Sequence, residues 1–150
     1  MTFPYGITTF CDDFRTEDNG KHLIIGVYDD TMLLPKFPIT VPQFAFVIKL
    51  LEPLSMKGEG GSLKIFVPGE TGVETIFDVE IESSRWEQVE KDDFDKEASY
   101  LGSNYVIKVA PFRLHGPGYI RVRAYFGEDE VKLGSLKVSL RDILAHEPTD

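Results

Sequence analysis

Four aspartates, Asp12, Asp13, Asp29 and Asp30, are the first residues here whose type and spacing suggest chemistry. Calcium sites in β-domains gather carboxylates at one rim, with oxygens at ~2.4 Å from the ion. Asp18-Asn19-Gly20-Lys21 lies between two β-rich runs, 7–16 and 22–30, and reads as a two-residue type I′ hairpin turn on Asn19-Gly20. That register sets Asp12 opposite Val27, Asp13 opposite Gly26 and Asp29 opposite Phe10. The two acidic pairs then stand about three rungs apart, ~10 Å, too far to share one ion. No metal site is expected. Asp12 shares the parity of Phe10 and Phe14, which turns it toward the core, where a carboxylate needs a cation or several N–H donors. Arg15 is too near along the chain and on the other parity, so an arginine from a distant strand is the expected partner of a buried clamp. The functional alternative is a ligand-facing acid at Asp12, with Asp13 and Arg15 beside it.

A second set is basic. Pairing Leu114 with Ile120 and Phe112 with Val122 would put Arg113 opposite Arg121, with Arg123, Tyr119 and Tyr125 on the same face. Like charges across a ladder destabilise it unless an anion lies between them. That anion is either a ligand's carboxylate or phosphate held by guanidinium forks, or an acidic strand face such as Glu74, Asp78, Glu80 and Glu82. A third set, Trp86, Phe94 and Tyr100, sits among acids in segment 84–104, as a partner-binding loop or as a lid with its rings inward.

Nucleophilic and metal-assisted catalysis find little support. His22, His115 and His146 form no metal-ligand spacing, and no Gly-x-Ser-x-Gly elbow, P-loop or dinucleotide fingerprint occurs. Cys11 lies in an apolar run without a histidine base, the setting of a small buried hydrophobe. The expectation is no enzyme and no cofactor; a hydrolase using acidic residues ranks last.

The elements that must position these residues read as strands. Gln43 to Glu52 is apolar on both parities, as in a strand covered on both faces. Val73 to Glu82 alternates, with Val73, Thr75, Phe77, Val79 and Ile81 inward and Ile76 the exception. Parity breaks at Ala110-Pro111 and at Gly134-Ser135 each predict a β-bulge. Ser84 and Glu87 have the spacing of a capping box for a short helix reaching Ala98. The pattern predicts an all-β fold: an antiparallel two-sheet sandwich, immunoglobulin-like, of about eight strands with at most one short helix. It spans 1–140, followed by a polar tail, 141–150.

Composition narrows the role. With 42% hydrophobic residues the 150-residue chain can fill a core, and a net charge of −9 opposes nucleic-acid binding. A lone cysteine allows no internal disulfide, and the chain opens without signal-peptide features, so a soluble cytoplasmic protein is expected, with no membrane partner.

Cys11-Asp12-Asp13-Phe14-Arg15, Gly20-Lys21, Ile25-Gly26-Val27-Tyr28, Phe37-Pro38 and Pro42 resemble the opening of a bacterial family of short proteins of unknown function. Gly116-Pro117-Gly118-Tyr119-Ile120-Arg121-Val122 and Leu133-Gly134-Ser135-Leu136 are similar to its C-terminal part. Phe14 stands where that family has an aliphatic residue, and residues 52–104 carry no likeness. The resemblance implies a bacterial or phage-linked origin and no catalytic residues. The function expected is a non-catalytic binding or assembly module, with a protein partner or self-association through 43–52. The alternative is a calcium- or anion-dependent ligand-binding domain.

Overall fold

Successive side chains of an extended strand point to opposite faces, so an apolar parity becomes a core face. The computed structural model describes residues 3–91 and 97–142. Its strands are β1 (Tyr5–Thr16), β2 (His22–Tyr28), β3 (Thr31–Leu34), β4 (Ile39–Val41), β5 (Phe44–Pro53), β6 (Gly61–Pro68), β7 (Val73–Ile81), β8 (Tyr100–Val109), β9 (Phe112–Leu114), β10 (Gly118–Phe126) and β11 (Asp129–Leu140). A helix, α1 (Arg85–Lys91), lies between β7 and β8. Sheet A has the order β2-β1-β5-β8 and sheet B the order β3-β11-β10-β6-β7, while β4 and β9 form a two-stranded ribbon. Neighbours are antiparallel except β3, which runs parallel to β11.

The all-β sandwich is therefore present, with eleven strands among the described residues rather than about eight. The additions are β3 and β4, whose four and three residues lie in a proline-punctuated stretch too short to show a period. The run that carries the parity break at Ala110-Pro111, Tyr105 to Leu114, also divides. At Ala110-Pro111, a cis peptide, the chain leaves sheet A, and β9 pairs with β4. A change of sheet, not a bulge, causes that parity break.

Phe44, Phe46, Ile48 and Leu50 of β5 point inward and are fully buried. They pack against Leu63, Ile65, Ile120, Val122 and Leu136 of sheet B in one cluster. Phe44 is an aromatic hub, its ring centroid 5.0 Å from those of Phe46 and Phe112 and 5.6 Å from that of Tyr28. Each such side chain contributes roughly 1.5–3 kcal/mol by leaving water.

The bulge near Gly134 is found, one residue early. Val122 pairs with Gly134 and Arg123 with Lys132, which leaves Leu133 over, and Gly134 has φ +132°. The extra residue moves the inward parity from Val131 and Leu133 to Leu136 and Val138. A second shift lies on β7, where Ile65 pairs with Phe77 and Phe66 with Thr75, so Ile76 is the extra residue. The reading of Val73, Thr75 and Val79 as core is corrected: all three are exposed, and Ile76, Phe77 and Ile81 pack inward.

The first hairpin is also corrected. Of the turn residues Gly20 alone has a positive φ, +82°, so the loop is not type I′. Glu17 N donates to Lys21 O at 2.8 Å and Gly20 N to Glu17 O at 3.0 Å, enclosing three residues rather than two. The pairing moves by one, to Cys11 with Val27 and Asp13 with Ile25.

Helix α1 begins where expected, but the Ser84 hydroxyl donates to Glu82 Oε2 at 3.3 Å instead of closing a capping box. The predicted extension through 92–96, with Phe94, and the tail 143–150, with His146, lie outside the described residues.

Candidate functional site

The acidic residues at the hairpin do not form one site. Asp12 is exposed, which corrects its placement in the core, and its Oδ1 accepts a 2.8 Å hydrogen bond from the Tyr28 hydroxyl. Gly26, at φ +68°, makes room for this fold-over: a Cβ there would stand 2.1 Å from Asp12 Oδ2. Desolvation, with the Asp12 carboxylate as acceptor, pushes the Tyr28 phenol up to about 12.

Asp13, not Asp12, is the clamp. Its carboxylate accepts from Arg15 Nε at 2.9 Å, Gln43 Nε2 at 2.5 Å and the Phe14 N–H at 2.8 Å, and pairs with Lys108 Nζ at 3.3 Å. The Arg15 guanidinium first, and these other donors with it, hold the Asp13 carboxyl well below the usual carboxylate range. Arg15, set aside as too near to serve Asp12, is placed for Asp13 because residues two apart share a strand face. The clamp joins β1 to β8 and to the residue before β5. Asp30 is placed beside β11 by its backbone, the main-chain carbonyl accepting from Lys137 N at 3.0 Å. Among the described residues, no three His, Cys, Asp or Glu side chains gather as metal ligands would.

Cys11 is fully buried, its Sγ 3.6 Å from Ala45 O. It packs with Phe14, Ala45 and Val47 on the outer side of sheet A. Burial, and then the Asp12 charge, push its thiol up, away from the reactive thiolate.

The basic face is divided between two sheets. Arg113 is on β9, opposite Thr40, and donates to Thr40 Oγ1 at 3.1 Å. The expected pairing of Arg113 with Arg121 is therefore absent, because β10 pairs with β11 and β6. Arg121 and Arg123 do share the outer face of sheet B, and the register adds Phe66, Lys64 and Lys132 beside them. Lys64 pairs with Asp78 at 3.6 Å, so part of the expected acidic ladder exists. Glu130 accepts from the Tyr125 hydroxyl at 3.2 Å and lies 3.9 Å from Arg123 Nε. Burial, and then Glu130, raise the Tyr125 phenol.

Where it is described, segment 84–104 is helix α1 and, from Tyr100, the start of strand β8, and Trp86 of the helix is turned inward. Trp86 is 2% exposed, and its indole N–H donates to Glu59 O at 3.0 Å. The Arg85 guanidinium lies over that indole at 5.1 Å and pairs with the fully buried Glu52 carboxylate. Burial drives the Glu52 carboxyl up while Arg85 pulls it down. Tyr100 meets Tyr5 edge to face at 5.3 Å. Sequence reading passed over Glu52, although it continues the inward even-numbered parity of Phe44, Phe46, Ile48 and Leu50.

β5 is largely covered on both faces, as its two apolar parities predict, so it does not offer the exposed surface that self-association through 43–52 would need. It is central, its inner face in the core and Ala45 covered on the outer face. Exposed apolar residues lie instead on β2, at the sheet edge: Leu23, Ile24, Ile25 and Val27. Ile7 and Val106 extend them over the outer face of sheet A. Among the described residues, no helix is long and apolar enough to cross a membrane.

Residues 6–139 match the model of a family of unknown function, DUF6941, and the chain belongs to that family. No curated protein matches it. The resemblance to an uncharacterised family of short proteins thus has its counterpart in a match spanning both ends of the chain.

Proposed function

We propose that this DUF6941 domain is a non-catalytic assembly module that joins a second copy of itself along the open edge of sheet A. One observation carries this reading: β2 is an edge strand of seven residues, His22–Tyr28, with four exposed aliphatic side chains and no charged one. Edge strands that must stay single are short, or carry lysine, proline or inward charge. Beyond the kink at Gly26, β2 has none of these protections. An added strand would pair its edge backbone groups and set its own side chains beside the exposed aliphatic ones on each face.

Charge at the ends of β2 supports a second copy as occupant. Lys21 precedes the strand, and Asp29 and Asp30 follow it. Antiparallel pairing about a two-fold axis near Ile25 brings Lys21 of one copy to Asp29 of the other, with Leu23 facing Val27. This local complementarity opposes the repulsion expected between chains of net charge −9. The lone, buried Cys11 suits a reducing compartment, and the module is assigned to the cytoplasm on that ground.

Sedimentation equilibrium of the full chain tests the proposal. The wild type is expected as a dimer at micromolar concentration and Ile24→Lys as a folded monomer. Lys21→Asp should weaken the dimer, and adding Asp29→Lys should restore it. A wild type that stays monomeric to millimolar concentration, or a dimer indifferent to Ile24→Lys, rejects this assignment.

A further inference from the structure

On the opposite sheet, the outer face concentrates positive charge in an acidic chain. Arg121, Arg123 and Lys132 line one concavity of about 360 Å³ with Phe66, Tyr125 and Glu130. That is three cations to one carboxylate, in a chain whose net charge is −9. Outward positions two apart on a strand lie within ~7 Å, so the cations repel unless each is compensated.

Their compensation is unequal. Arg123 serves the bulge: its Nη1 donates to Val122 O at 2.8 Å and to Gly134 O at 3.2 Å, with Glu130 at 3.9 Å. Lys64, on the other side, has Asp78. Arg121 is exposed with its guanidinium 5.1 Å from the Tyr119 ring. Neither Arg121 nor Lys132 has a carboxylate partner among the described residues. These two flank the already engaged Arg123, and both are free to close on a third group.

We propose that this concavity binds a small ligand through a phosphate group, held by Arg121 and Lys132 and bordered by Phe66 and Tyr125. A phosphomonoester carries about −1.5 to −2 charge near neutrality, matching two uncompensated cations where a single carboxylate leaves one over. A guanidinium reads two of its oxygens as a fork, and an ammonium adds a point charge. The volume lies near the lower end of the roughly 300–1,000 Å³ typical of small-molecule sites. A nucleic-acid duplex does not suit it, since such binding needs a run of cations and a less acidic chain.

Thermal melts of the full chain with inorganic phosphate, adenosine monophosphate, adenosine and polyglutamate, each at matched ionic strength, test this. Inorganic phosphate or the monophosphate should raise Tm saturably, on the order of 5 °C at a hundredfold excess over Kd. Adenosine should not. Tighter binding of the monophosphate than of inorganic phosphate identifies an esterified ligand, and equal binding a free one; both support the site. Arg121→Ala with Lys132→Ala, two exposed positions, should abolish the response without lowering Tm in buffer. Equal responses in wild type and double variant, no response to either phosphate, or a response to polyglutamate alone would each overturn it.

Discussion

The Tyr28 hydroxyl donates to the Asp12 carboxylate at 2.8 Å while the Tyr28 ring stacks on Phe44. One side chain thus links the exposed hairpin to the aromatic centre of the core. This contact accounts for a residue that parity alone would bury: Asp12 folds back over Gly26 to reach the phenol at the sheet edge.

Tyr28 should give the fold an alkaline limit. Its pKa is raised to about 12 from an ordinary 10.0, so the folded state favours the neutral phenol. That stabilisation is complete below pH 10 and is lost as pH rises toward 12. Tyr28→Phe should flatten the stability–pH curve in that window, and at neutral pH it should cost about 1 kcal/mol for the lost hydrogen bond. Urea melts from pH 7 to 12 measure both; an unchanged alkaline slope rules the linkage out.

Gly26 is required by its conformation and by its neighbour. Gly26→Ala places a methyl group on the Asp12 carboxylate and in a left-handed backbone region, which alone costs roughly 1–2 kcal/mol. Measured in an Asp12→Ala background, which itself lacks the Tyr28 hydrogen bond, Gly26→Ala should cost less, because the carboxylate clash is gone and chiefly the backbone part remains. Chemical denaturation of the single and double variants separates the two contributions.

Asp13 should contribute to acid sensitivity. Because its carboxyl is held far below the ordinary 3.8, its contribution is present above that value and lost as pH falls beneath it. Asp13→Asn should therefore shallow the acid limb of the stability curve. The same readout in Arg15→Gln should move in the same direction by less, since Lys108 and Gln43 remain.

The Glu52–Arg85 pair should behave as a buried pair does. Arg85→Leu strands a carboxylate with no exposed surface and should cost about 3–5 kcal/mol. Adding Glu52→Met should return the variant to near wild-type stability, because an apolar pair replaces an ionic one of similar size. A midpoint shift in urea that is additive across the two changes contradicts this coupling.

Much of this molecule is written locally. The inward parity of Phe44, Phe46, Ile48 and Leu50, the extra residue near Gly134 and the shared face of Arg121 and Arg123 all follow from a period of two, which needs no knowledge of neighbours. Glu52 was legible on the same ground, as a charge on a core parity. The hairpin was legible in place but not in register: Asn19-Gly20 marks a turn, and only the backbone shows that Gly20 alone turns left-handed. What the tertiary structure decided is which strand lies beside which. Arg113 went to Thr40 rather than Arg121, Asp13 found Lys108 on a strand ninety-five residues away in sequence, and the aliphatic residues of β2 stayed at an edge. Alternation constrains a single strand, but sheet order comes from burying all apolar faces at once, a condition no short stretch of chain contains.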